Sequence, residues 1–213
     1  AQAIVATGRR RRAAAGSGWV GLKAHFRGLP ARPAIELFTL RGGYCGLAPV
    51  ESGETNLSCL LRARGAPPLA DSRDLPAWLA QVPGSPGLLA RLRGGEQATP
   101  TAVTAGILLG PDRAGTLAAP AAGDACGFLD PFTGDGIARA LLSGQLAAEL
   151  VACRQTARYA PALHHGSRYG TARLLRPLLT APAWAQALAC RTLLHPLLAP
   201  HLFTATRWRT CKL

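Results

Sequence analysis

The sequence predicts a mixed α/β (α+β) chain: an antiparallel sheet with short helices, then a strand-loop-helix unit, then a run of C-terminal helices. Three observations carry this reading. Between Trp19 and Leu61 short apolar segments alternate with polar residues at period two and are separated by glycine turns. Around Asp124 a small, apolar segment gives way to a loop punctuated by Gly134 and Gly136, and helical spacing follows. Beyond Tyr159, Leu and Ala recur at helical spacing in segments broken by prolines 161, 177, 182, 196 and 200.

Taken in order, Ala3 to Ala6 reads as a short buried strand ending at Thr7-Gly8. The hexapeptide Gly16-Ser17-Gly18-Trp19-Val20-Gly21 satisfies Gly-x-Gly-x-x-Gly, and Glu36 stands near the distance of a ribose-binding acid. That chemistry needs a strand before the glycines and a helix after them, so that a pyrophosphate meets a helix N-terminus. Here Val20, Leu22, Ala24 and Phe26 alternate as in a half-buried strand, and Pro30 and Pro33 forbid a following helix, so the hexapeptide is not expected to bind a nucleotide. Strands are expected over Trp19 to Phe26, Ala34 to Leu40, Tyr44 to Pro49 and Thr55 to Leu61, with Gly42-Gly43 and Ser52-Gly53 as hairpin turns.

Arg62 to Asp71 is a Pro/Gly/Arg loop. Leu75 to Val82 and Pro86 to Leu92 read as short helices with Asp74 and Ser85 as N-caps, and Ala102 to Leu109 as a returning strand. Gly115 to Ala122 is apolar and small enough for a buried strand. In the segment that follows, Ile137, Leu141, Gly144, Ala148 and Val151 recur at helical spacing, so a helix is expected. Tyr159 to Arg173, Ala181 to Leu194 and Leu197 to Thr206 complete the helical tail, where Leu and Ala spacing points to core packing.

At 213 residues the chain can bury one large or two small cores. The net charge of +13 raises nucleic acid or an anionic membrane as partners. Against this, the basic residues are nearly all Arg and are scattered, only Arg9 to Arg12 forming a run that reads as a phosphate patch or a solvated loop. A nucleic-acid module would interleave aromatic rings with clustered Lys and Arg, which this chain does not do. Six cysteines show neither Cys-x-x-Cys nor metal spacing, so reduced thiols and a cytoplasmic setting are expected. His164 and His165 are adjacent and lack the i, i+4 spacing of a metal pair, so no metal is expected. The uncharged tracts Pro177 to Cys190 and Thr192 to Thr206 are too short and too interrupted to span a bilayer, although surface contact with a membrane stays open.

The chemistry is expected at Gly123-Asp124-Ala125-Cys126-Gly127-Phe128-Leu129-Asp130-Pro131-Phe132-Thr133-Gly134-Asp135-Gly136-Ile137. An Asp at a strand end accepts hydrogen bonds from a sugar-like hydroxyl. Glycines let backbone approach a ligand, and the free amides of the helix N-terminus favour negative charge.

This stretch resembles the second FAD-binding motif of the flavoprotein monooxygenase and geranylgeranyl reductase superfamily, through Gly123, Asp124, Ala125, Pro131, Gly134, Gly136, Ala140, Ser143, Gly144 and Ala147. The resemblance implies an FAD cofactor bound by Gly123, Asp124, Pro131, Gly134, Asp135, Gly136 and Ile137, with Asp124 on the ribityl and pyrophosphate side. Gly127 stands where many aromatic hydroxylases carry His, which leans the likeness toward the reductase and halogenase branches. Ala3 to Gly8 resembles the strand before the superfamily's Asp-Gly motif, with Thr7 where Asp is common, and Lys23 to Gly28 and Gly42 to Val50 resemble its substrate-domain sheet.

The domains so implied are 1–18, a remnant of the FAD-binding domain; 19–109, a substrate-domain sheet with short helices; 110–153, the FAD-binding strand-loop-helix; and 154–213, a helical region. The function implied is the C-terminal part of an FAD-dependent oxidoreductase, reductase or monooxygenase in type. Its substrate would be an apolar or aromatic small molecule and its electron donor NAD(P)H or another reductant. Tyr44 and Cys45 are the catalytic candidates, Tyr44 as a donor to substrate oxygen and Cys45 as a reactive thiol. Because no nucleotide-binding glycine motif is found, a fragment inactive alone is expected; a non-functional or split remnant and a basic nucleic-acid module are the alternatives.

Overall fold

The computed structural model describes residues 3–9, 13, 14, 16–111, 119–128, 131, 134–166, 177, 181, 183–193 and 195–206. The chain forms two compact units: one of residues 1–12, 108–177 and 189–213, the other of residues 13–107 and 178–188.

The second unit is built on an antiparallel sheet of β1 (Trp19–Arg27), β2 (Glu36–Leu40), β3 (Gly43–Pro49), β4 (Thr55–Arg62), β5 (Glu96–Gln97) and β6 (Ala102–Ile107). The order is β2-β3-β4-β1-β5, and β6 also pairs with β1. Thus β1 is central: β4 runs along one edge, while β6 from Trp19 to Lys23 and β5 at Phe26 and Arg27 share the other. Alternation sends Val20, Leu22, Ala24 and Phe26 of β1 to one face, with Leu47 of β3 and Leu57 and Leu61 of β4. Helices α1 (Leu75–Ala80) and α2 (Pro86–Leu92) contribute Leu75, Trp78, Leu79, Leu88 and Leu92 to the same cluster. Asp74 caps α1, its carboxylate accepting from Ala77 N at 3.0 Å. Ser85, expected to cap α2, makes no side-chain cap bond.

The expected turn at Gly42-Gly43 is shifted by one residue. Arg41 and Gly42 make the turn and Gly43 opens β3, with φ of +86° at Gly42. Gly43 is needed for space: a Cβ there would stand 2.0 Å from Leu60 O. The Gly16 to Gly21 hexapeptide runs directly into β1 with no helix after it, as the alternation required.

In the first unit, Val5 N donates to Pro120 O and Ala122 N to Val5 O, both at 2.8 Å, a single parallel bridge between Val5 and Ala121 where a longer strand was expected. Residues 115–118 of the expected cofactor strand lie outside the described residues, as do Arg10, Arg11 and Arg12. A 3-10 turn, Gly123–Cys126, follows, then β8 (Gly127–Phe128) paired with β7 (Gly110–Pro111). Next come α3 (Gly136–Ala152) and α4 (Tyr159–Gly166). The later helices are α5 (Ala183–Leu193) and α6 (Ala199–Thr206). Among the described residues no helix is long and apolar enough to cross a membrane.

The helix expected here forms as α3, but the face it buries is not the apolar stripe. Arg139, Ser143, Ala147 and Leu150 point inward, whereas Ile137 and Leu141 are 81% and 70% exposed. Small side chains let the helix lie close to the turn, with Ala140 Cβ only 3.4 Å from where a Cβ on Gly123 would stand. A stripe chosen by apolarity would therefore select the wrong side.

Candidate functional site

Asp124 lies inside the 3-10 turn, one residue past Gly123, whose φ of +62° is left-handed and suits glycine. The turn is fastened from three sides. Gly123 N donates to Ser143 Oγ at 2.9 Å, and Ser143 Oγ donates in turn to Ala140 O. Tyr159, buried in the core under α3, donates its hydroxyl to Ala121 O just upstream. Arg139, only 2% exposed, reaches the turn from the first part of α3. Its guanidinium donates to Gly127 O, to Cys126 O and Sγ, each at 3.2 Å, and at 3.5 Å to Gly123 O. A planar fork with several donors is suited to gathering carbonyl oxygens that point in different directions.

The consequence is a carboxylate held in place but not consumed. Asp124 is half-buried, and no hydrogen bond from a described residue reaches its carboxylate. Burial pushes its pKa up, opposed by the charges of Arg139 and Arg9. Arg9 stacks its guanidinium 5.4 Å from the centre of the Phe128 ring, and its Nη1 is buried without a hydrogen-bond partner. Arg9 is therefore half-buried and stacked, with one guanidinium nitrogen unmet. Gly134, with φ of +67°, and Gly136 have open space where a side chain would stand, so backbone is accessible along this loop. Pro131 is half-buried, Asp135 is buried and precedes α3, and Ile137 is exposed in the helix's first turn. Cys126 is a buried free thiol whose pKa is raised by burial, which Arg139 opposes.

The catalytic candidates lie in the other unit, and one is overturned. Cys45 is fully buried and bonded to Cys59 as a disulfide, so it offers no reactive thiol. The cause is register: β3 and β4 set the two residues directly opposite each other, with Cα atoms 4.1 Å apart. The expectation of reduced thiols fails at this pair, and with it the ground for a cytoplasmic setting; Cys126 and Cys153 are free. Tyr44 and Cys45 also cannot serve one site together, because adjacent strand residues face opposite sides. Cys45 lies in the helix-covered core, while Tyr44 is in register with Thr39 and Leu60 on the other face, and is 9% exposed.

Arg139 and Tyr159 were not singled out from the sequence, whereas Ser143 entered as a match to the motif and Arg9 as part of the Arg9 to Arg12 run. Arg139, the one cation of α3 and the third residue after Gly136, was the available signal. Among the described residues no group of His, Cys, Asp and Glu could hold a metal ion.

No protein-family profile and no curated protein matches the chain. Solved structures do. The chain superposes on the flavin-dependent brominase Bmp2 with a TM-score of 0.63 at 15% identity, over 95% of this chain and 56% of that one. PqsL of P. aeruginosa, solved in complex with 2-aminobenzoylacetate, gives 0.54 at 20% identity, over 87% and 57%. A geranylgeranyl bacteriochlorophyll reductase-like protein from Thermoplasma acidophilum gives 0.50 at 15% identity, over 96% and 62%. The chain thus spans somewhat over half the length of these three structures. On these likenesses the chain shares the mixed α/β fold of these flavin-dependent and reductase-like structures.

Proposed function

We propose that the Asp124 turn binds FAD and that the chain is part of an FAD-dependent oxidoreductase, of reductase or monooxygenase type, acting on an apolar or aromatic small molecule. The observation that supports this is the pairing of two unmet groups on one fastened frame. The Asp124 carboxylate has no hydrogen-bond donor among the described residues, and beside it Arg9 Nη1 is buried without an acceptor. A ligand carrying both hydroxyls and phosphate satisfies both, and FAD is such a ligand.

The residues present fit the cofactor. Asp124 accepts from ribityl hydroxyls and Arg9 donates to a phosphate oxygen. Gly134 and Gly136 leave room for the ligand against the backbone, and Arg139 keeps the turn in shape. Pro131, Asp135 and Ile137 border the same loop. The flavin, when bound, supplies the two-electron redox chemistry. NAD(P)H or another reductant is the electron donor in this reading, and Tyr44 remains the candidate donor to a substrate oxygen.

The ADP half of the cofactor has no strand-glycine-helix motif among the described residues, since the one Gly-x-Gly-x-x-Gly match leads into β1. The 213 residues alone therefore bind FAD weakly, and a half carrying that motif restores tight binding.

Flavin fluorescence titration of the reconstituted protein tests the assignment. Asp124→Ala and Arg9→Gln should each weaken FAD by about tenfold or more, given charge-assisted bonds of about 1.5 to 3 kcal/mol. Unchanged affinity in Asp124→Ala refutes it, and tight stoichiometric binding by the 213 residues alone refutes the division of the cofactor.

A further inference from the structure

A cavity of about 510 Å³ opens at one end of the sheet in the second unit. Its lining includes Arg41, Arg62 and Arg64 together with Leu61, Val82 and Pro83, and no acidic residue. The three arginines arrive from separate places in the chain. Arg41 sits in the β2-β3 turn, Arg62 ends β4, and Arg64 lies in the following bend. Backbone hydrogen bonds fix this convergence: Arg41 N donates to Pro83 O at 2.8 Å, and Arg62 N to Gly42 O at 2.9 Å.

Elsewhere in this unit Arg27, Arg32 and Arg91 have carboxylate partners, while Arg73 and Arg93 are single charges outside the cavity lining. Arg27 pairs with Glu54, and Arg32 and Arg91 share Glu36. Arg41, Arg62 and Arg64 have no carboxylate partner among the described residues. Arg62 is instead stacked 5.0 Å from the Trp19 ring centre, on a Trp that is 5% exposed. Stacking on a fixed ring holds the guanidinium plane while its edge donors remain available. Converged like charges with free planar donors and room for a small organic group are what a polyanion requires.

We propose that this cavity binds a diphosphate-bearing small molecule through Arg41, Arg62 and Arg64. The site stands in the other unit from Asp124 and does not depend on the flavin assignment.

Calorimetric titration of the full chain with inorganic pyrophosphate tests it. Saturable binding is expected, weakened about tenfold or more by Arg41→Gln, Arg62→Gln or Arg64→Gln. Arg93→Gln, an equal charge change at an exposed position outside the lining, should alter it less than about twofold. All three lining side chains are exposed, so the folded state tolerates Gln, and Arg41→Lys gives a second measure by keeping charge while losing the fork. Tricarballylate, a carboxylate polyanion, should bind at least about tenfold more weakly, because its charges are spread along a three-carbon chain instead of concentrated on two joined phosphoryl groups. Absence of saturable binding, equal loss in Arg93→Gln, or equal affinity for tricarballylate overturns the proposal. So does loss of pyrophosphate binding in Arg9→Gln with retention in the three lining variants.

Discussion

Replacing Arg139 by Met isolates the part of the site that does the fastening. Met approximates the length of the Arg stem but has no donor, so Gly127 O and Cys126 O lose the guanidinium that satisfies them in a buried setting. Each orphaned acceptor costs about 1 to 3 kcal/mol, so two cost about 2 to 6. Removing a buried cation also recovers desolvation energy, which pulls the net toward the lower part of that range. A loss of about 2 to 4 kcal/mol is therefore expected, a large share of the roughly 5 to 15 kcal/mol that holds a domain together. Urea unfolding followed by circular dichroism measures it. Arg158→Met is the control, since Arg158 is exposed and bonds only to Gln155 three residues away, and it should change stability by less than about 0.5 kcal/mol. If Arg139→Met is no more damaging than the control, the guanidinium does not fasten the turn and the account of how Asp124 is presented fails.

Three further outcomes follow from other residues. Asp124 has a raised pKa in the folded chain, so folding favours its protonated form. Without ligand its penalty is absent below the ordinary carboxylate value and grows as pH rises through the raised one, so the stability gained by Asp124→Asn should increase across that interval; a gain that shrinks with pH would contradict the burial argument. Gly16→Ala meets open space and costs about 1 to 2 kcal/mol for its left-handed φ. Gly18→Ala adds a Cβ 2.7 Å from Ile107 O and should cost more, while FAD affinity per folded molecule stays unchanged in both; equal melting temperatures for the two variants would refute the contact. Alkylation of the denatured, unreduced protein followed by mass spectrometry should leave Cys45 and Cys59 unlabelled and Cys126 and Cys153 labelled, and labelling of Cys45 without reductant would refute the pairing.

What the sequence made legible, and what it hid, divides along the range of the interactions involved. Alternation along β1 and the glycine turns between β2, β3 and β4 are local, and so the strands were readable within a residue or two. Cross-strand register is not local. It decides that Cys45 meets Cys59, which cannot be seen from a separation of 14 residues, whereas the parting of Tyr44 and Cys45 to opposite faces follows from their adjacency in one strand.

The face that α3 buries was hidden for a different reason. Apolarity ranks Ile137 and Leu141 as core, yet a helix that must lie against a glycine turn buries the side chains that allow close approach, Ser143 and Ala147, and the one long side chain whose donors the turn's carbonyls need. Burying Arg139 is unfavourable taken alone and becomes favourable only because Gly127, Cys126 and Gly123 present their oxygens to it. The same arrangement leaves Asp124 with two cations near it and no donor bonded to it. In physical terms the turn is fastened by hydrogen bonds from its own neighbours, while burial disfavours the charged form of its carboxylate, a cost that hydrogen bonds from a hydroxyl would relieve.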